Sequence, residues 1–438
     1  MLNNLVKPLE ISNLDDYFKI IKIMISKVNQ DAKFLIINVL QKDSFSELNK
    51  VRKNFIVNVL WCFLSIKGKI NFLQLERYSS ICEQTFRNQF KKTFDFLSFN
   101  KELITEGKEK NIISSKLAIA LDPSYIPKSG KSTYGRGKYW SGVAKSAKWG
   151  LDICGFAVVD VQNNTALHLK AFQTPSAKTL EEDGLNLLTH YAKLVSDNSE
   201  TFKNISPYLL ADAYFSKSVF VDSVTNSGMH LISRLRDDSV LRYKYNGEKT
   251  GKRGTPRKFS GNVNRKDLDY NYFSMELDSE ELKIYSAIVY SKAFKKDIKL
   301  AVAIFYKEEK EVARKLYFST DLTQNGRAIV EYYRSRFQIE FLYRDAKQST
   351  GLTDCEARSK EKLDFHFNTS LTAVNIAKYD WLSVKTQDQK PFSMANYKTL
   401  YNNALILERF ICMFAINPNT QKNKRIIREL LDYGKIAA

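Results

Sequence analysis

Cysteine and histidine are scarce in this chain, and their scarcity narrows the chemistry open to it. The five cysteines, Cys62, Cys82, Cys154, Cys355 and Cys412, lie far apart and show no C-x-x-C spacing. That pattern argues against a zinc cluster or a disulfide framework and for reduced thiols. The four histidines are equally scattered. Any metal site must then be built from carboxylates, a donor set that favours magnesium or manganese. Long apolar runs are also missing. The longest, Phe55 to Ile66, is interrupted by Asn58 and falls short of the roughly 18 residues that a membrane span needs. The opening "MLNNLVKPLE" lacks the basic-then-apolar order of a secretory signal, so cytoplasmic residence without a membrane partner is the expectation.

A complete phosphate loop is absent as well. The stretch "PSYIPKSGKST" ends in Gly130-Lys131-Ser132, but the position where G-x-x-x-x-G-K-[ST] needs its first glycine is Tyr125. Pro127 removes a further N–H from the nest. No nucleotide cofactor is expected. What is abundant is positive charge. The formal net charge is +20, with lysine and arginine spread along all 438 residues, and a phosphate-rich polyanion is the natural partner of such a surface. The length calls for more than one domain.

Residues 1–110 carry helical periodicity. Within them "NFLQLERYSSICEQTFRNQFKKTFDFL" parses as a short helix, a turn at Ser79-Ser80 and a second helix whose exposed side carries Thr85, Arg87, Asn88 and Lys91. A helix-turn-helix would bring such side chains to base edges and phosphates; a small helical bundle with a solvated face is the alternative. From 111 to 228 the period changes to that of strands, "KLAIALD", "GLDICGFAVVDV" and "TALHLKAFQT", followed by a helix from about Lys178 to Val195 and the run "PYLLADAYFS". Two of these runs end on acids, Asp122 and Asp212. The pattern predicts an α/β layer with its polar groups on one rim. Residues 229–318 read as a β-rich, basic insertion with a glycine-, lysine- and arginine-rich loop at about 245–267. Residues 319–380 read as helical core, and 381–438 as a helical C-terminal region whose apolar stripe suits domain packing or a dimer contact. Lys128, Lys131, Arg136 and Lys138, in the loop after Asp122, are candidate phosphate contacts, as are Arg234 and Arg236 after the strand "MHLIS". His366 reads as a satisfied core histidine.

The segment Gln324 to Leu352 contains no proline and closes on Gly351, which predicts one long helix. At about 100° per residue, Arg336, Glu340 and Lys347 fall within about 60° of Tyr333, forming one narrow polar stripe. Arg336 and Glu340 at i,i+4 could be an ordinary ion pair. With two acids at strand ends, however, Glu340 supplies a third set of carboxylate oxygens. Two divalent ions about 4 Å apart can activate a water or a 3′-hydroxyl and stabilise the leaving oxygen of a phosphodiester.

The pattern Tyr333-x2-Arg336-x3-Glu340-x6-Lys347, with Asp122 and Asp212 upstream, resembles the Y-R-E-K signature of the insertion-sequence-4 family of bacterial DDE transposases. The resemblance covers about 116 to 380. It implies an α/β RNase H-like (retroviral-integrase-like) catalytic core with a β-rich insertion domain, flanked by helical N- and C-terminal regions. It further implies that Asp122, Asp212 and Glu340 bind two magnesium or manganese ions, and that Tyr333, Arg336 and Lys347 contact DNA. The implied activity is cleavage at terminal inverted repeats and joining to target DNA without ATP, by a homodimer at the bacterial nucleoid. Some members stack a flipped base on a tryptophan of the insertion, yet no tryptophan lies between Trp149 and Trp381; Tyr290, Phe294, Tyr306 and Tyr317 are the candidate substitutes. A catalytically silent DNA-binding regulator and a structure-selective nuclease on the same fold are the alternatives.

Overall fold

The computed structural model describes residues 27–247, 257–384, 391–418 and 420–436. Part of the expected basic loop, 248–256, lies outside the described residues. In chain order the helices are α1 (Lys27–Leu40), α2 (Lys50–Ser65), α3 (Phe72–Tyr78), α4 (Glu83–Gln89), α5 (Phe96–Glu109), α6 (Ala177–Glu182), α7 (Leu187–Lys203), α8 (Ser218–Asn226), α9 (Gly326–Ser335), α10 (Gln338–Ser349), α11 (Lys360–Ser383), α12 (Met394–Met413) and α13 (Gln421–Leu431). The strands are β1 (Leu117–Pro127), β2 (Gly137–Ser141), β3 (Ser146–Asp160), β4 (Thr165–Gln173), β5 (Tyr208–Leu210), β6 (His230–Arg234), β7 (Leu241–Lys244), β8 (Phe259–Asn262), β9 (Ser274–Asp278), β10 (Leu282–Ser291), β11 (Lys296–Lys307) and β12 (Lys310–Ser319). Among the described residues, no helix is long and apolar enough to cross a membrane.

All these strands join one mixed sheet. β3 pairs antiparallel with both β1 and β4, β1 pairs parallel with β5, and β5 pairs parallel with β6. Strand β6, the first of the segment read as an insertion, therefore lies within the parallel part of the sheet. β12 pairs antiparallel with β6, and the sheet continues through β11, β10, β7 and β8.

β1 shows why the sheet is buried on both faces. Its side chains alternate, as a strand's must: Leu117, Ile119 and Leu121 enter the core shared with α7 and α8, while Ala118 and Ala120 enter the core shared with the α2 and α11 side. The small alanines on that second face leave room for α10, which packs against β1 and β3. The outer edge of β4 is not left open. Asn375 Oδ1 accepts from His168 N at 2.6 Å, Asn368 Oδ1 accepts from Ala171 N at 2.8 Å, and Lys378 Nζ donates to Ala166 O at 2.9 Å. Side chains of α11 thus satisfy backbone groups that a further strand would otherwise pair, which blunts the edge.

The N-terminal helices dock on α11 through a cluster of rings. Phe365 lies 4.5 Å from Phe90 and 5.3 Å from Phe96, centroid to centroid, contacts each worth about 0.5–1.5 kcal/mol beyond their burial. His366, in the same helix, is buried and hydrogen-bonds Gly351 O at 2.7 Å, with burial pushing its pKa down to about 4.

Three local expectations are corrected. The helix expected from Lys178 to Val195 is two helices, α6 and α7, separated at Gly184, whose φ of +66° is left-handed. The run expected to end at Asp122 continues in β1 to Pro127. Proline is tolerated there because β1 has lost its β5 partner after Ala120 and is paired on one side only. The single helix expected from Gln324 to Leu352 is broken into α9 and α10. Neither proline nor glycine stands at the break. Instead Arg336 N bonds Tyr333 O at 3.2 Å and Ile339 N bonds Arg336 O at 3.1 Å, an i→i+3 tightening of the turn.

Candidate active site

The register of two strands brings the first two acids level. Ala120 and Leu210 are Cα partners at the last rung of the β1–β5 ladder, and Asp122 and Asp212 each lie two residues beyond it. By the alternation of a strand, both continue the face that carries Ala118, Ala120 and Leu210. Asp212 also caps the short 3₁₀ turn Ala213–Phe215, its Oδ1 accepting from Tyr214 N at 2.9 Å, while Ser233 Oγ on β6 donates to its backbone oxygen at 2.9 Å.

The third acid arrives from the helix side. Glu340 sits in the first turn of α10. Arg336, at the break between α9 and α10, donates through Nη1 to Asp122 Oδ1 at 3.2 Å and through Nη2 to Glu340 Oε1 at 2.9 Å. One guanidinium therefore holds a strand acid and a helix acid together. Its Nε is buried without a hydrogen-bond partner among the described residues. Burial alone would lower the Arg336 pKa, but Asp122, Tyr333 and Glu340 hold it above its ordinary value.

Asp122 is partly buried beside this guanidinium. Burial pushes its carboxyl up to about 7; Arg336 opposes that rise, and Glu340, Asp212 and Asp152 add to it. An anion this poorly stabilised by its own protein is one that an added cation would favour. Among the described residues no group of three or more His, Cys, Asp or Glu side chains stands close enough to enclose a metal; between Asp122 and Glu340 the contacting charge is that of Arg336. The oxygen donors of Asp122, Asp212 and Glu340 fit magnesium or manganese by their chemistry.

Lys347, two turns along α10, donates through Nζ to Ser124 Oγ at 2.9 Å and to Tyr125 O at 3.0 Å. Burial lowers its pKa, with Asp122 and Asp152 acting in the opposite direction. Tyr333 stacks obliquely on Tyr317, 4.8 Å between centroids, and its ring lies 5.9 Å from the Arg336 guanidinium. Asp122, Asp212, Tyr333, Arg336, Glu340 and Lys347 are thus brought to one place.

The other sequence candidates divide. Lys128 is partly buried and its Nζ donates to the carbonyl of Cys355. Lys131 is exposed. Arg136 and Lys138 gather on Trp149, 4.6 and 5.7 Å from its ring centre. Arg234 is half-buried at the end of β6, and Arg236 is exposed and pairs with Asp238 at 3.5 Å. On α4, Arg87 pairs with Glu83 and lies 4.9 Å over Phe72, Asn88 accepts from Gln84, and Thr85 contacts Cys82; Lys91, expected on this helix, is exposed in the turn beyond its end at Gln89. Of the four substitute stacking rings, Phe294 and Tyr317 are buried in the core, a correction; Tyr290 and Tyr306 are half-buried.

Four further residues belong to the site. Tyr343 donates its hydroxyl to Asp122 O at 2.6 Å. Gly155 stands across the ladder from Asp122. Ser124 receives Lys347. Asp152 is buried, accepts from Thr174 Oγ1 at 2.6 Å and Tyr191 at 3.0 Å, and has its pKa raised by burial. Tyr343 was legible in principle, three residues after Glu340 on the same helix; Gly155 was not, because its role depends on cross-strand register.

A model of the transposase DDE domain matches residues 113–376, which is more than half of the chain; the chain belongs to that family, and its mixed sheet with flanking helices fits an RNase H-like core. Among solved structures it is similar to a piggyBac transposase synaptic complex with hairpin DNA, determined by cryo-EM. That similarity has 12% identity and a TM-score of 0.35, covering 94% of this chain and 83% of the other, a likeness too slight to bear on fold or function. No curated protein matches the chain.

Proposed function

We propose that this chain is the DNA transposase of a bacterial insertion sequence of the insertion-sequence-4 type. It binds terminal inverted repeats, cleaves phosphodiester bonds at the element ends and joins them to target DNA, working as a homodimer. The observation that carries the proposal is the level placement of Asp122 and Asp212 beside the rung Ala120–Leu210, with Glu340 held to Asp122 through Arg336. Asp122, Asp212 and Glu340 would hold magnesium or manganese, which when bound supplies activation of a water or 3′-hydroxyl and stabilisation of the leaving oxygen.

The chain's own residues do the positioning. Arg336 bridges Asp122 and Glu340 with its one positive charge and holds the strand acid beside the helix acid. Lys347 uses two of its three donors on β1 and keeps one for a phosphate oxygen. Tyr343 locks the Asp122 backbone to α10. Exposed cations such as Lys131 and Lys138 attract the DNA backbone without reading its sequence.

The test is magnesium-dependent cleavage of a plasmid that carries the gene with its native flanking DNA, comparing wild type with Glu340→Gln. Cuts at two fixed flanking points, lost in the variant while DNA binding persists, support the proposal. Binding without cuts in magnesium and in manganese would overturn it in favour of a DNA-binding regulator.

A further inference from the structure

Between Asp122 and Asp152 the sequence contains no acidic residue and six cations, Lys128, Lys131, Arg136, Lys138, Lys145 and Lys148. The hairpin of β2 and β3 is built from this stretch. Its register sets Lys138 opposite Trp149 and Trp140 opposite Ala147, so Lys138, Trp140, Ala147 and Trp149 share one face. All four are exposed, Trp140 to 67% and Trp149 to 53%.

Two tryptophans left in water on one strand pair are unusual, since the residue is largely buried on average. The chain's other two show the contrast: Trp61 is buried, and Trp381 packs against Phe392. Trp149 is already organised, with Arg136 at 4.6 Å and Lys138 at 5.7 Å from its ring centre. Trp140 makes no ring or cation contact among the described residues. Arg136, Lys138, Lys145 and Lys148 likewise have no ion-pair partner among the described residues, whereas many lysines elsewhere do.

The hairpin is also fixed to the candidate site. The Tyr125 hydroxyl donates to Trp149 O at 2.8 Å, and the Tyr125 carbonyl accepts from Lys347. A single residue of β1 therefore joins the exposed face to the helix that carries Glu340.

We infer that the exposed face of the β2–β3 hairpin is a stacking platform for an unpaired DNA base, with Trp140 as the stacking ring and the cations on and around Trp149 holding the flanking phosphates. The inference rests on the reading of the chain as a DNA enzyme and adds to it a ligand class, single-stranded DNA beside the site. Charge decides the occupant: unpaired cations flanking an open indole complement a phosphodiester strand, and a base offers its flat face whatever its sequence. A protein surface poor in acidic residues would leave this positive charge uncompensated.

The experiment measures binding of the full-length protein to an oligothymidine of about 20 nucleotides, long enough for one such site, and to a blunt duplex of the same length. Wild type is compared with Trp140→Ala and Trp140→Phe, with thermal melting as the check on folding. The expected result is about a tenfold loss of oligothymidine binding in Trp140→Ala, retention in Trp140→Phe, and unchanged duplex binding, because the bases of a duplex are already stacked. Equal losses for both DNAs, or no loss for either, would overturn the inference. Cleavage is read separately: a protein that binds oligothymidine through Trp140 but cuts nothing would retire the transposase reading and keep the platform.

Discussion

The hydroxyl of Tyr343 occupies the space that a Cβ on Gly155 would fill. Gly155 lies directly across the β1–β3 ladder from Asp122, and the same hydroxyl donates to the Asp122 carbonyl. A missing side chain on one strand thus lets the helix that carries Glu340 close on the strand that carries the first acid.

Gly155→Ala is expected to destabilise the protein by about 1–3 kcal/mol through overpacking. Tyr343→Phe, which removes the colliding oxygen, is expected to recover part of that loss in the double variant. A double-mutant cycle on thermal or denaturant unfolding reads the coupling; additive effects would mean the two residues do not compete for the space.

Arg336→Ala leaves two carboxylates facing each other without their shared partner. The expected cost is about 2 kcal/mol, less than for a fully buried pair because the Glu340 side chain is 39% exposed. Arg336→Lys is expected to recover little, because a single ammonium cannot reproduce the two-armed fork to Asp122 and Glu340. Urea unfolding of the three proteins measures both, and full recovery by lysine would show that charge alone matters.

The raised pKa of Asp122 has a definite sign in stability. Its folded value, about 7, lies above the roughly 3.9 of an unfolded aspartate. The folded state therefore binds the proton more tightly, and this group's stabilising contribution is full below about pH 4 and is lost as pH rises to about 7. Melting temperatures of wild type and Asp122→Asn from pH 4 to 8 are expected to diverge, wild type falling relative to the variant across that window. Magnesium, which needs the ionised carboxylate, is expected to raise the wild-type melting temperature more at pH 8 than at pH 5; a shift independent of pH would remove Asp122 from the cation's ligands.

Asn375→Leu strands the amide of His168 and the carbonyl that Asn375 Nδ2 reaches at 2.7 Å. Each buried orphan costs about 1–3 kcal/mol. Hydrogen exchange is expected to rise along β4 in the variant while β10 and β11 keep their protection, since the latter are paired on both sides; uniform loss of protection would point to global unfolding instead.

The sequence by itself determined a good deal here. The apolar run "LAIAL" placed a strand ahead of Asp122, and the spacing Tyr333, Arg336, Glu340, Lys347 placed four polar side chains toward one side of a helical segment. The lack of clustered cysteine and histidine restricted any metal ligands to carboxylates. These are local statements, and periodicity of 2 or 3.6 residues encodes them. Tertiary structure alone decided the rest. That Asp122 and Asp212, ninety residues apart in sequence, stand level depends on Ala120 pairing with Leu210, a register fixed by packing on both faces of the sheet. That Arg336 clamps two acids, that Lys128 is tied to Cys355 while Trp140 faces water, and that Gly155 must be glycine all follow from which distant groups meet. No periodicity records such meetings, because the partners of a charge or a cavity are chosen by the fold and not by its neighbours in the chain.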